Sequence, residues 1–256
     1  MNLYEAIYVR KSVRRFASDS VNSKIIEGVV KFYQDMEGLF GGVATELAVL
    51  DNRKGKKNFS GIVSVQAPYY LALYSENKEK SMMNAGYVMQ QLSLYLCSKG
   101  LGSCFVGLRI LMPSLKKKDG KNLVALLAFG KAKDSHIRRQ AEAKRLDMSE
   151  LCIFKEKPRL WMNQLLEAAR LAPSSMNGQP WRFVVYDNRI HVFSKKYKGE
   201  NGNMDPATEL DFGILFSNMM VVAEELWLDV DLIRLEGISQ KNFPKYQYVL
   251  SVILRA

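Results

Sequence analysis

Val49-Leu50-Asp51-Asn52-Arg53 has a counterpart further along the chain in Val185-Tyr186-Asp187-Asn188-Arg189. Carried back without a gap, the same offset lays Ile25, Ile26, Val29, Val30 and Tyr33 on Trp161, Met162, Leu165, Leu166 and Ala169. Both sets have the i, i+1, i+4, i+5, i+8 spacing of a single buried helix face. A second helical pattern follows in each half. Ala85, Val88, Met89, Leu92 and Leu96 share one side of 81–99, which stops at Gly100, and 209–228 runs through Gly213, Leu215, Met219 and Val222. Each half closes on an apolar β-rich run, 122–129 and 246–254. The order helix, strand, helix, strand thus occurs twice. The expected fold class is α+β, built from two diverged halves, 1–145 and 146–256, packed about a pseudo-twofold axis as an intrachain pseudo-dimer.

The chain has 256 residues, 48% apolar and 25% charged, which suits a packed core and excludes wholesale disorder. No apolar run approaches the roughly 18 residues needed to span a bilayer, and the N-terminal stretch lacks the apolar core of a signal peptide. Three cysteines (Cys97, Cys104, Cys152) cannot frame a disulfide scaffold, and with only His136 and His191 beside them a metal site is not expected. These features point to the cytoplasm. The net charge of +11 is lopsided: residues 1–150 carry 24 Lys/Arg against 14 Asp/Glu, and the remainder 13 against 12. An anionic partner for the first half follows, either nucleic acid or a phosphorylated small molecule. Lys116-Lys117-Lys118 reads as solvated surface, and no basic stripe with interleaved aromatics supports nucleic acid.

The halves differ where chemistry would sit. The first holds Arg10-Lys11-Ser12-Val13-Arg14-Arg15-Phe16, cations and a hydroxyl suited to phosphate oxygens, with Arg10 and Arg14 one turn apart if a helix continues through them. The pentapeptide offset matches it to Leu146–Cys152, where Asp147 and Glu150 would repel phosphate. The second half instead holds Ala172-Pro173-Ser174-Ser175-Met176-Asn177-Gly178-Gln179-Pro180-Trp181-Arg182-Phe183, a turn-rich polar loop. Its counterpart, Glu37-Gly38-Leu39-Phe40-Gly41-Gly42-Val43-Ala44, has lost nearly every polar group. One composite site per chain, assembled from the basic string and the polar loop, is the simplest account.

These two strings, with Gly86 through Gly107, resemble the nitroreductase family. The split arrangement is similar to its single-chain branch, the TM nitroreductases, in which tandem halves mimic the usual homodimer. The resemblance implies non-covalent FMN at the seam, NAD(P)H as reductant and an electron-poor acceptor of nitro or quinone type. It implies that Arg10, Lys11, Ser12 and Arg14 hold the phosphate end, with Arg145 as a further cation. Pro173, Ser174, Ser175 and Asn177 would line the ring from the other half. Cys104-Phe105-Val106-Gly107 would present a backbone amide to flavin N5, with Val106 N–H as the donor, and no side chain is required as an acid. Cys104 also reads as a plain buried thiol, Trp181 as packing behind the loop, and Asn58-Phe59-Ser60 as a silent glycosylation sequon. Two other functions stay open at this level: a flavin store or sensor without turnover, and a nucleic-acid binder. A monomer is expected, since the halves already mimic a dimer.

Overall fold

Gly86 and Gly213 decide how close the two halves come. In the computed structural model, which describes residues 1–53, 65–108, 112–196, 204–241 and 243–255, they lie mid-face on the two longest helices. These are α3 (Ser81–Ser98) and α6 (Pro206–Glu225). A Cβ on Gly86 would overlap the carbonyl of Leu210, and one on Gly213 would overlap the carbonyl of Met83. Gly213 follows Gly86 by the same interval as Leu210 follows Met83. One contact is therefore made twice, in reciprocal directions, as at an isologous dimer interface. Both helices are apolar nearly all round, the pattern of an element buried on every side. Gln90 Nε2 donates to Asn218 Oδ1 across the pair (2.8 Å), and Asn218 Nδ2 donates onward to the Ala168 carbonyl (2.9 Å).

Each half places a sheet on this pair. The first contains β1 (Thr45–Asp51), β2 (Tyr69–Ser75), β3 (Gly102–Phe105), β4 (Lys117–Lys118) and β5 (Lys121–Gly130). Its order is β1-β2-β5-β3, with β4 on β5. The second contains β6 (Cys152–Phe154), β7 (Trp181–Val185), β8 (Arg189–Lys195), β9 (Val230–Ile233) and β10 (Tyr246–Leu254). Its order is β6-β7-β8-β10-β9. Without β4 and β6, the orders coincide strand for strand.

The anticipated helices are α2 (Ser23–Gln34) and α5 (Leu160–Leu171), shifted by a single position from the pentapeptide offset. Asn22 caps α2 by accepting from Lys24 N–H, and Asp205 caps α6 ahead of Pro206. Met162, Leu165, Leu166 and Ala169 are fully buried, whereas of the matching α2 stripe only Val29 is. The second half is the better filled.

The correspondence of the halves fails at the N-terminus. Helix α1 (Leu3–Val9), held by a reciprocal Asn2–Glu5 cap, has no α-helix at 139–145, only a short 3-10 turn at 140–142. The short α4 (Met148–Leu151) leads instead into β6, which runs parallel to β7. The basic string runs along β3, at the far edge of the other sheet's order, through a Ser12–Ser103 bridge. The basic string and Leu146–Cys152 are thus not structural counterparts. Ala6 and Ile7 of α1 lie in the core built around the second sheet, so the halves interlock. The remaining α7 (Glu236–Ser239) lies on the β9–β10 connection.

The glycine crossing predicts that Gly213→Ala loses about 2–4 kcal/mol of stability, because a backbone carbonyl must move to admit one methyl group. Urea unfolding of the variant checks this, and Gly237→Ala, whose Cβ would meet nothing within 4 Å, serves as control.

Candidate functional site

Helix α1 ends at Val9, and Arg10 is already extended (φ −60°, ψ 144°). Arg10 and Arg14 are therefore not one helical turn apart. The strand-like string has a period of two, which groups Arg10, Ser12 and Arg14. Arg10 Nη2 donates to Ser12 Oγ (3.4 Å), while the Ser12 hydroxyl and the Arg10 and Arg14 guanidiniums all act on the Cys104 thiol. Arg10 is 4% exposed and its Nε has no partner among the described residues. Burial pushes its guanidinium below the ordinary arginine value, with Arg138 and Arg14 adding to the effect.

The neighbours of Arg10 come from the chain leaving β5. Residues 131–138 run antiparallel to the N-terminal string, through bridges Phe16–Ala132 and Arg10–Ile137 and the Arg138 N–H to Val9 carbonyl bond (2.8 Å). This places Arg138 beside Arg10, where Arg138 Nη1 donates to the Tyr8 carbonyl (3.2 Å). The segment then reaches Arg145, whose Nη1 donates to Asn177 Oδ1 (2.8 Å) and whose Nη2 donates to the Leu171 carbonyl (3.2 Å). Asn177 Nδ2 returns a bond to the Lys144 carbonyl (3.1 Å). Burial, reinforced by Arg10, Arg138 and Arg170, pushes Arg145 down to about 10, and its Nε is also buried without a partner among the described residues. Arg145 thus feels Arg10 on one side and holds the polar loop on the other.

Among the described residues, Arg15, Arg53, Arg139, Arg159, Arg170 and Arg255 have carboxylates within ion-pair distance. Within the same set, Arg10, Arg14, Arg138, Arg145, Arg182, Arg189 and Arg234 have none, and the first four gather about the N-terminal string. Arg10 is buried, Arg138 and Arg145 are half-buried and Arg14 is exposed; buried cations without counter-charges are costly unless an anion joins them. The donors left open, two buried Nε groups among them, suit a phosphate group.

The polar loop is strained and tightly held. Met176 (φ 50°), Asn177 (φ 57°) and Gln179 (φ 47°) all occupy the left-handed region without being glycine. Ser174 Oγ accepts from Gln179 N–H (3.0 Å), and the buried Gln179 side chain accepts from Leu146 N–H (2.8 Å) and donates to the Asn177 carbonyl (3.1 Å). Pro173 is buried, Ser174 is half-buried, and Ser175 and Asn177 are exposed. The Ser175 N–H donates to both carboxylate oxygens of Asp211 on α6, at 2.9 Å each. Burial raises the Asp211 carboxyl to about 7, against the pull of that backbone bond. Trp181 is fully buried, packed edge-on against Phe212, so it stands behind the loop as expected.

The Cys104–Gly107 segment carries one correction. Val106 N–H donates to the Leu126 carbonyl (3.0 Å), which continues the β3–β5 ladder and leaves it unavailable to a flavin. Gly107 is exposed, with open space around its Cα, and is where a planar ligand could approach the backbone. Cys104 is buried with its thiol pushed up by desolvation, and Phe105 packs into two cores. Lys11 is half-buried with His136 and Glu142 nearby. The Asn58–Ser60 sequon lies outside the described residues.

Sequence reasoning misses Arg138, Gln179 and Asp211 as functional groups. Arg138 is one cation in a charged run, and only the antiparallel pairing with the N-terminus shows its role. Asp211 is hidden in an apolar helix pattern, where a lone carboxylate at a buried position is the available signal. Among the described residues no group of three or more His, Cys, Asp or Glu could hold a metal, and no helix is long and apolar enough to cross a membrane.

No curated protein matches the chain. Among solved structures it resembles a Thermotoga maritima MSB8 protein described as a putative nitroreductase, with TM-score 0.63 and 18% identity over 99% of this chain and 94% of that one. A nitroreductase family protein of Clostridium difficile 630 matches 59% of this chain and 96% of its own, at 18% identity and TM-score 0.48. A nitroreductase with bound FMN from Bacteroides fragilis NCTC 9343 matches 52% and 90%, at 15% identity and TM-score 0.43. The family described as "Putative TM nitroreductase" matches residues 2–223, and the chain belongs to that family.

Proposed function

We propose that this chain is an FMN-dependent oxidoreductase that carries hydride from NAD(P)H to an electron-poor organic acceptor of nitro or quinone type, at one composite site. The supporting observation is Arg10, buried with an unpartnered Nε, in a cation cluster that Arg145 ties to the polar loop. In this reading the duplicated halves are 1–145 and 146–256. The coincident strand orders and the reciprocal glycine contacts support it. FMN, when bound, supplies reversible two-electron hydride chemistry that amino-acid side chains cannot.

The residues have separate tasks. Arg10, Lys11, Ser12 and Arg14, with Arg138 and Arg145 beyond them, bind and neutralise the phosphate. Pro173, Ser174, Ser175 and Asn177 form the wall opposite, its strained shape fixed by Asp211 and Gln179. Cys104 and Phe105 set the floor, and the exposed backbone at Gly107 is the approach for the ring edge. A cation such as Arg14 beside the ring would favour its anionic reduced form. No side chain in this set is asked to donate a proton. Three free, buried cysteines accord with a reducing, cytoplasmic setting, and the internal pairing of halves accords with a monomer.

Purified protein should be yellow and release one FMN per chain. NAD(P)H should bleach it under anaerobic conditions, and a nitroaromatic or quinone should restore the colour. Flavin that never bleaches would indicate a store or sensor instead, and a flavin-free chain with steeply salt-dependent DNA affinity would indicate a nucleic-acid binder.

Arg10→Gln should weaken FMN about tenfold to a hundredfold by removing a charge-assisted donor, whereas riboflavin, which lacks the phosphate, should lose little. Ser174→Glu should give folded, colourless protein, since a carboxylate would crowd and repel at the loop; equilibrium dialysis measures both.

Asp211 gives a pH prediction. Its folded carboxyl titrates at about 7 and its unfolded one at about 4, so between those values the folded state holds more protons and stability falls as pH rises. The slope is on the order of 1 kcal/mol per pH unit. Asp211→Asn keeps an acceptor for Ser175 N–H and should flatten that slope in urea titrations at pH 5, 6 and 7.

A further inference from the structure

The loop Glu37–Val43 forms one wall of a half-open cavity of about 560 Å³ whose lining includes Tyr33, Glu37, Phe40, Thr45, Asn84 and Val88. It lies between α2, β1 and α3, and the matching space in the second half is filled. There Trp181, which the pentapeptide offset lays on Thr45, packs edge-to-face with Phe212. Their ring centroids are 6.4 Å apart, and both side chains are fully buried. The first half keeps the frame, with Thr45 on the cavity wall where the second half has the Trp181 ring. Tyr33, matching Ala169, restores only one wall, with its hydroxyl already bonded to Thr45 Oγ1 at 2.8 Å.

Tyr33, Gln34, Glu37, Thr45 and Asn84 all bring polar groups to the lining, and of these Asn84 alone is buried. Asn84 is 1% exposed, its Oδ1 is taken by the Phe40 N–H (3.3 Å), and Gly38 presses on the amide so closely that a Cβ there would sit 2.6 Å from Oδ1. Among the described residues nothing accepts from Asn84 Nδ2. In the register of the glycine crossing Asn84 matches Asp211, and each holds the N–H of its own half's loop. Glu37 stands on its wall, while Lys78 Nζ donates to the Gly42 carbonyl (2.7 Å) and Lys80 Nζ lies over the Phe40 ring, so the rim carries both signs and a neutral ligand suits it. Its size is within the usual range for small-molecule sites, about 300–1,000 Å³.

We propose that this cavity is a second small-molecule site, taking a neutral bicyclic aromatic that carries one hydrogen-bond acceptor for Asn84 Nδ2. The ring fills the space that the Trp181 indole occupies in the other half. The site is separate from the arginine cluster and does not depend on the flavin reading.

Quinoline is the probe, since it is bicyclic, uncharged at neutral pH and bears one acceptor nitrogen; indole, with a donor only, is the control. Isothermal titration of the full chain should give saturable quinoline binding with a dissociation constant of about 1 mM or tighter. Indole should bind about tenfold more weakly, for want of a partner for the buried amide. Thr45→Trp, which returns the missing ring, should abolish binding of both. Asn84→Asp, which copies the second half and still accepts from Phe40 N–H, should bind quinoline no better than indole. Equal binding of the two probes by the unmodified chain would overturn the assignment, as would quinoline binding that survives Thr45→Trp in folded protein. Absence of saturable binding up to about 5 mM would do the same.

Discussion

The close crossing of α3 and α6 is the constraint from which the rest follows. Two backbones can come within carbonyl contact only where neither has a side chain, and Gly86 and Gly213 supply that bareness from each helix in turn. Because the contact is reciprocal, it fixes both the distance and the angle between the sheets that ride on the helices. Helix α1 then crosses over to bury Ala6 and Ile7 in the other half's core, which carries the basic string toward the seam. With the helices further apart, the arginine string and the polar loop would not share a neighbourhood.

Electrostatics give that neighbourhood its character. Four arginines without carboxylate partners among the described residues share this region: the Tyr8 carbonyl holds Arg138, the Lys144 and Leu171 carbonyls and the Asn177 amide hold Arg145, and Ser12 Oγ accepts from Arg10. These neutral acceptors satisfy some N–H groups but cancel no charge, and two Nε groups stay unmet. A protein gains little stability from such a cluster, since like charges in a poorly hydrated place repel. That penalty is offset when an anion arrives, and the offset appears as binding energy and as stability in the bound form. The strain of three left-handed residues in the facing loop has the same logic, with rigidity set in place before the ligand comes.

Much of this is legible in the sequence, and the parts that are not have physical reasons. The helices α2 and α5 and the strands β1 and β7 follow from apolar periodicity and one recurring pentapeptide, because local burial is written in local pattern. The basic string misleads as a helix: Arg10, Ser12 and Arg14 line up through strand-like alternation, and nothing in the string itself shows that β3 will offer Ser103 as a partner. Val106 is a reasonable donor by position, but its N–H is taken by Leu126, a pairing distant in sequence that periodicity does not reveal. Arg138 and Asp211 depend on tertiary contacts alone.

The two halves show how one frame can carry different contents. Each has a loop after its first long helix, and each loop is tied by a backbone N–H to a polar side chain on its own central helix, Asn84 or Asp211. In the second half the loop is stiff and polar, and Trp181 fills the space behind it; in the first it is rich in glycine, and the space stands open. Packing explains the pairing of these traits. A loop that must keep three residues in a strained conformation needs a solid backing, since any void would let it relax. A loop of Gly38, Gly41 and Gly42 stores no such strain, so Thr45 in place of a ring behind it removes burial without altering shape. The asymmetry in chemistry at the surface thus has its counterpart in an asymmetry of the core.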